Sequence, residues 1–241
     1  MGHAAHGSVN PANDISGSPR TVGVILPVLN EAGILETALT GVLEQAPDEI
    51  VVVDGGSQDA TCDIVRRHPA LHLIEAQRGR AAQMNAGAAA AGSDILLFLH
   101  ADVHLPPQAL SHVRAAIQAG HLWGRFDVRL DGARPAYRVI ERFMSLRSAL
   151  TGIATGDQAI FVRRDVFRQL GGFAPIPLME DIELSARLRR RQPPARLRAP
   201  VLVSVRRWER HGVARTVLRM WWLRLCYWLG VSPTHLARWY R

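Results

Sequence analysis

The sequence predicts an α/β protein with a central, mostly parallel sheet and helices on both faces. Three observations carry this. Short apolar runs alternate with stretches of helical spacing over roughly the first hundred residues after position 21. The runs are continuous rather than alternating, as strands covered on both faces are. The connections between them are short, which suits repeated β-α units.

The elements follow in order. Residues 22–27 read as a buried strand, and Ile34, Leu35, Ala38, Leu39, Val42 and Leu43 then recur at helical spacing. Residues 50–53 form a second strand, closed by Asp54-Gly55-Gly56-Ser57. Asp59 or Thr61 opens a second helix that ends before Pro69. Residues 71–74 are a third strand. The Ala-rich stretch 80–91 is helical and stops at Gly92, and 95–99 are a fourth strand. Pro106-Pro107 introduces a helix over 108–119. The second half is less regular: a strand over 122–130, an amphipathic helix over 136–150, strands over 158–162 and 201–205, and helices over 180–191 and 213–229.

The chain has 241 residues, 48% of them hydrophobic, enough for one large domain with a sizeable core. No apolar run reaches the roughly 18 residues a spanning helix needs. The first 20 residues are polar and Gly/Ser/Asn/Pro-rich, and read as a disordered leader rather than a secretory signal. The domain reading is a leader over 1–20, a catalytic domain over 21–210 and a basic, Trp-rich extension over 211–241. Cys62 and Cys226 suggest neither a disulfide framework nor a metal site, so a reducing, cytoplasmic setting is expected.

Charge divides the chain. Every basic residue other than histidine is Arg. Residues 1–186 carry 15 Arg and 20 acids, net −5; residues 187–241 carry 14 Arg and one acid, Glu209, net +13. The basic end suits a phosphate-bearing substrate, nucleic acid or an anionic membrane surface. A solvated face in an Arg-rich sequence is the plainer reading.

Ligands of parallel sheets bind at the carboxyl ends of the strands. Three such ends here deliver Glu31, Asp54 and Asp102. There is no G-x-G-x-x-G after the first strand and no Walker lysine, which speaks against dinucleotide oxidoreductases and P-loop enzymes. Asp54 on its glycine turn could accept hydrogen bonds from a base or ribose, or simply cap the next helix. His100 and Asp102 are two apart on an extended segment and can face one ligand. Asp102 suits Mg²⁺ or Mn²⁺, with diphosphate oxygens completing the shell. His104, two residues on, reads as a solvent-facing side chain. Glu180-Asp181 opens a helix, where a carboxylate can be a general base or merely an N-terminal charge. Asp157 follows a Gly and is a loop cap or a site residue.

Together these segments resemble family-2 glycosyltransferases of the GT-A fold. Ile25-Leu-Pro-Val-Leu-Asn-Glu31 resembles the family's P-x-x-N-E opening, and Val51-Val-Val-Asp-Gly-Gly-Ser-Gln-Asp-Ala-Thr61 its V-D-D-G-S-x-D-x-T segment. Gln83-Met-Asn-Ala-Gly87 resembles the N-x-G helix, and Leu97-Phe-Leu-His-Ala-Asp102 the D-x-D segment. Leu170-Gly-Gly-Phe173 and Glu180-Asp-Ile-Glu-Leu-Ser-Ala-Arg-Leu188 resemble G-G-F and E-D-x-x-L-x-x-R-L. Ser204-Val-Arg-Arg-Trp208 loosely resembles the Q-x-x-R-W segment of processive members. The likeness spans about residues 22–208, and the compact length is closest to small bacterial members.

The resemblance implies a metal-dependent transfer of sugar from a nucleoside diphosphate to an acceptor hydroxyl. Pro27, Glu31 and Asp54 would line the nucleoside pocket, with Arg80 at the donor phosphates. Asp102 would carry Mn²⁺ or Mg²⁺. Asp181 would be the catalytic base, with Glu180 beside it, and Asp157, Arg207 and Trp208 would meet the diphosphate or acceptor. Two departures stand out. His100 replaces the first Asp of D-x-D; its imidazole would bond a ribose hydroxyl or ligate Mn²⁺ in preference to Mg²⁺. Gly55 replaces the second Asp of V-D-D-G-S. A single essential carboxylate fits one in-line displacement with inversion.

Rival readings are a nucleotidyltransferase that forms nucleotide-sugars, a donor-binding protein without turnover, and a nucleic-acid binder using the basic tail. No nucleic-acid motif supports the last. The stretch from Met220 to Leu229 mixes Trp, Tyr and Arg. It reads either as a helix packed on the domain or as a membrane-interface contact, the latter with a lipid-linked acceptor at the inner face of the membrane.

Overall fold

The computed structural model describes residues 20–206 and 212–240. The expected leader therefore lies almost wholly outside the described residues, as do Arg207 and Trp208.

The β-α units form as the sequence requires: β1 (Val22–Val28), α1 (Ala32–Leu43), β2 (Glu49–Asp54), α2 (Thr61–Arg66), β3 (His72–Glu75), α3 (Arg80–Ala90) and β4 (Ile95–Phe98). Strands β3, β2, β1 and β4 lie side by side and pair in parallel. The inner strands β1 and β4 and the middle of β2 are apolar because both faces are covered, and the pleat sends alternate residues to opposite cores. Val24, Leu26 and Val52 pack with Leu35 and Leu39 of α1. Ile25, Val51 and Val53 pack with Met84 and Ala88 of α3. Gly87 lets α3 close on the sheet: a Cβ there would stand 2.5 Å from Ile25 Cγ2 and 2.9 Å from Val53 Cγ2.

Beyond β4 the sheet turns mixed. A two-residue β5 (Val103–His104) and α4 (Ala109–Gln118) lead to β6 (Trp123–Asp131) and α5 (Pro135–Thr151). Then come β7 (Phe161–Arg163), α6 (Arg164–Gln169), α7 (Glu180–Arg191) and β8 (Ala195–Ser204). The order is β3-β2-β1-β4-β7-β6-β8-β5, with β7 antiparallel to both neighbours, β8 parallel to β6, and β5 antiparallel to β8. Four residues join β4 to β5, although β5 lies four strand positions away. Across a flat sheet that is about 19 Å, more than the roughly 17–18 Å such a link reaches when fully extended. The sheet is curled, and His100-Ala101-Asp102 sits where it folds back.

Two strands differ from expectation. Gln158, the expected first residue of a strand, instead ends a 3₁₀ turn over Gly156–Gln158 closed by reciprocal bonds with Thr155. Ala159 is left-handed (φ 46°), so extended structure begins only at Phe161. Conversely β8 starts at Ala195, well before the expected 201, and continues through Pro200. A register shift opposite Phe126/Asp127 absorbs the proline, which cannot donate to the ladder.

The C-terminal segment forms α8 (Val213–Trp228) and α9 (Pro233–Tyr240). Leu223, Cys226 and Leu236 close on Met179, with Leu178 and Ile182 beside them. The two helices thus cover the start of α7. No described helix is long and apolar enough to cross a membrane.

Candidate active site

The loops after β1 and β2 are sewn together by short polar side chains. Asn30, left-handed at φ 54°, accepts a bond from the Gln58 amide through Oδ1, and its own amide donates to Ser57 Oγ. The Glu31 amide donates to Thr61 Oγ1, and that of Ala32 to Asp59, which thereby caps α1. Below them lies Gln83, buried on α3. Its Nε2 donates to the carbonyls of Val28 and Val53, each at 2.8 Å, clamping the ends of β1 and β2. A Cβ on Gly55 would lie 3.0 Å from this amide. Gly55 therefore makes room for Gln83, a role not evident from the motif alone.

The strand ends enclose a cavity of about 280 Å³ whose walls include Pro27, Glu31, Arg80, Gln83, His100 and Asp102. Five expected nucleotide residues are thus brought together. Asp54 is not among the lining residues. It is buried, and its carboxylate accepts bonds from the amides of Gly56 and Ser57 and from Ser57 Oγ. Burial works against its charge, but these bonds outweigh it and hold the group below the usual carboxylate range. Arg78, on the loop before α3, also lines this cavity and was not singled out in the sequence.

Arg80 and His100 also belong to a second, narrower cavity of about 50 Å³, lined by Gly156, Asp157, Glu180, Asp181 and Arg224. Here Asp181 is held from two sides. Its Oδ2 accepts the Gly156 amide at 2.7 Å, and its Oδ1 the Ile182 amide at 2.7 Å. Two fixed donors aim the carboxylate without neutralising it. Glu180, beside it, is buried; burial and then the Asp181 charge push its carboxyl above the usual range. Partial desolvation opposes the charge of Arg80, but Glu180, with smaller help from Tyr240, Asp157 and Asp181, outweighs it and strengthens the cation.

The His100 ring lies against Gly156, where any Cβ would collide with it. Its Nδ1 is 3.7 Å from Asp157 Oδ1. This contact ties the turn after β4 to the 3₁₀ turn before β7. Asp102 and His100 share the larger cavity, but no group of three His, Cys, Asp or Glu side chains able to hold a metal is found among the described residues. This donor set fits a divalent ion completed by substrate oxygens, not one caged by protein alone.

Both motif segments flanking this region owe their shape to tight packing. Asn85 grips Phe173, donating to its carbonyl and accepting its amide. Gly172 before it is left-handed, with Asn85 Oδ1 at 2.5 Å from any Cβ it might carry.

Residues 23–171 match glycosyl transferase family 2, more than half of the chain. Glycosyltransferase AglE of Haloferax volcanii is 38% identical over 168 residues, covering 63% of this chain and 55% of AglE. Glucosyl-3-phosphoglycerate synthase of Mycobacterium tuberculosis is 30% identical over 98 residues, covering 36% of this chain and 30% of that one. The chain thus spans about half or less of the length of these relatives. Among solved structures, residues 1–349 of S. aureus TarS superpose with a TM-score of 0.64 at 18% identity, covering 76% of this chain and 60% of that one. The mannosyltransferase PcManGT of Pyrobaculum calidifontis, in complex with GDP-Man and Mn²⁺, gives 0.57 at 25% identity, covering 78% and 57%. The curled α/β sandwich is the GT-A fold of these neighbours, and the chain belongs to glycosyl transferase family 2.

Proposed function

We propose that the protein transfers a sugar from a nucleoside-diphosphate donor to an acceptor hydroxyl, in one displacement that inverts the anomeric carbon. The observation that carries this is the pair of cavities joined at Arg80 and His100. One is large enough for part of a nucleotide and is walled by Pro27, Glu31 and Asp102; the other holds an oriented carboxylate. The complex of PcManGT with a nucleotide-sugar and Mn²⁺ supports the reading by similarity.

Asp181 takes the proton from the acceptor hydroxyl. Its two backbone bonds leave other lone pairs turned to the cavity and fix its direction. Arg80, kept firmly cationic by the acids around it, faces the leaving diphosphate. Asp102, with His100 as a second donor, would hold a divalent ion. Such an ion supplies neutralisation of the charge that builds on the leaving group. Glu180 supports Arg80 and keeps the site's acidity close to Asp181. Arg207 and Trp208 belong to the same proposal on the sequence alone.

The acceptor is proposed to be lipid-linked, with the protein held at an anionic membrane surface. Trp221, Trp222, Trp228 and Trp239 are each about half exposed or more on α8 and α9, where aromatic rings and Arg suit a headgroup layer.

The test is calorimetric titration with UDP, GDP and dTDP, with and without Mn²⁺. Mn²⁺-dependent binding of one nucleotide is expected. No binding of any nucleotide under either condition would remove the donor reading. Tight binding with no transfer or donor hydrolysis would favour a protein that holds the donor without turnover.

A further inference from the structure

The second cavity opens on a third feature. An apolar groove of about 230 Å³ runs between α5 and α8, lined by Ile140, Phe143, Met144, Val217 and Trp221. Asp157, Met220 and Arg224 belong both to this groove and to the cavity of Asp181. Donor cavity, Asp181 cavity and groove therefore adjoin through shared walls. Arg80 and His100 stand at the first junction, Arg224 at the second.

Arg224 at the second junction, and Arg147 near it, have no carboxylate partner at ion-pair distance among the described residues, although Arg-acid pairs are plentiful elsewhere. Arg224 Nε is buried with no hydrogen-bond acceptor. So are Nε and Nη2 of Arg147, whose only bond is a long one of 3.5 Å from Nη1 to the Ile153 carbonyl. Burial, then the like charge of Arg224, pulls Arg147 down to about 10. A buried cation without an anion is costly, and proteins retain such groups where a ligand supplies the missing charge. Asp181 and Asp157 favour the charge of Arg224 only at longer range.

We infer that the acceptor is an anionic amphiphile: its acidic group, a phosphate monoester or similar, sits on Arg224 with Arg147 behind, and its apolar chain lies in the α5–α8 groove. The inference rests on the proposed glycosyl transfer and names the acceptor class for that site. Three features of the groove select this occupant. The groove is apolar along its length, and its charged lining residues, Arg224 and Asp157, stand at the end that meets the Asp181 cavity. Phe143 and Trp221, with ring centroids 4.7 Å apart, make a lip that stays about half exposed. And the unpaired guanidinium charge asks for one anion at that end and not for a polar chain along the groove. The acceptor hydroxyl would then lie toward Asp181, on the donor side of Arg224.

The test is binding of monomeric dodecyl phosphate to the full chain, followed by Trp fluorescence and calorimetry. Controls are inorganic phosphate and a neutral dodecyl glucoside. Saturable one-to-one binding of dodecyl phosphate is expected. It should be at least about tenfold tighter than either control, since removing one member of a buried charge contact costs that much or more. Arg224→Gln should weaken dodecyl phosphate by at least about tenfold and leave the glucoside unchanged. Phe143→Ser, at an exposed position, should weaken both amphiphiles and spare the fold. Dodecyl phosphate binding no tighter than inorganic phosphate or the glucoside, or no effect of Arg224→Gln in a protein that melts normally, overturns the inference. So does binding to phosphatidylglycerol vesicles with none to the monomer, which would leave only a membrane-facing surface. The nucleotide titration separates the two readings. Nucleotide binding without dodecyl phosphate binding removes this inference alone; the reverse removes the donor reading and leaves the amphiphile site.

Discussion

The two sides of the Asp181 cavity are built on opposite terms. On the β1–β4 side, buried polar groups are satisfied. Gln83 serves two strand-end carbonyls, Asp54 three donors, and Asn85 both polar groups of Phe173. On the α5–α8 side, Nε and Nη2 of Arg147 and Nε of Arg224 find no acceptor among the described residues, and Val139, Leu146, Leu150 and Leu218 are more than half exposed. The first side is complete as it stands, so it can present a rigid wall to a ligand whose form does not change. The second carries electrostatic and apolar debts that only something outside the described residues can settle. A buried polar network that is fully bonded gives rigidity; one that is half bonded marks where a ligand is expected.

Substitutions should separate the sides, and the largest effect belongs to the boundary between them. Asp181→Asn keeps an acceptor for one backbone amide but cannot take a proton. Transfer should fall about 10²–10⁴-fold with nucleotide affinity held, in a steady-state assay paired with titration. Turnover near the wild-type rate would remove Asp181 as the base.

Next is Gln83→Leu on the satisfied side. It takes from the carbonyls of Val28 and Val53 their shared side-chain donor and leaves Val28 the Gly55 amide; each lost hydrogen bond costs about 0.5–1.5 kcal/mol. A lower midpoint in urea and weaker nucleotide binding are expected together. A stable variant with intact nucleotide binding would mean that the clamp does not shape the donor cavity.

Arg147→Met should act with the opposite sign. It removes a half-buried charge that has no carboxylate partner among the described residues, while keeping the aliphatic bulk. The protein without ligand should gain stability, on the order of 1 kcal/mol, in the same urea titration. A loss would show that Arg147 is already paired in solution and would erase the contrast between the two sides.

The smallest effect is a pH dependence at Glu180. Its carboxyl titrates above the ordinary range when folded, mainly through burial and then the Asp181 charge. The folded state therefore holds this proton more tightly than the unfolded chain. That contribution is fully present below the ordinary carboxylate pKa and is lost as pH rises through the raised value. Glu180→Gln should thus raise the melting temperature at neutral pH and make little difference in acid. A gain that did not depend on pH would point to packing rather than charge.

Much of this was legible in the sequence. Continuous apolar runs at β1, β2 and β4 can be buried only between two layers, and short links leave a parallel sheet as the solution. The same pattern puts Glu31 and Asp102 at neighbouring strand ends, because carboxyl ends align in parallel strands. Asp54 also stands at a strand end, yet spacing alone could not separate a ligand from a turn, and its carboxylate is spent on Gly56 and Ser57. The boundaries of β7 and β8 were hidden for local reasons. A left-handed Ala159 and a bulge opposite Pro200 are backbone choices that composition does not announce.

Sequence by itself determined the layered sheet, the family and the acids at the strand ends. These depend on periodicity and local spacing, which the chain carries in its order of residues. Only the tertiary structure decided that Arg80 and His100 line two cavities, that Gln83 braces the strand ends, and that Arg147 and Arg224 lie near each other with no carboxylate at ion-pair distance among the described residues. Those facts arise between α3, α5, α7 and α8, segments far apart in the chain. Whether a buried charge finds a partner is a property of contacts in space, and no local pattern encodes it.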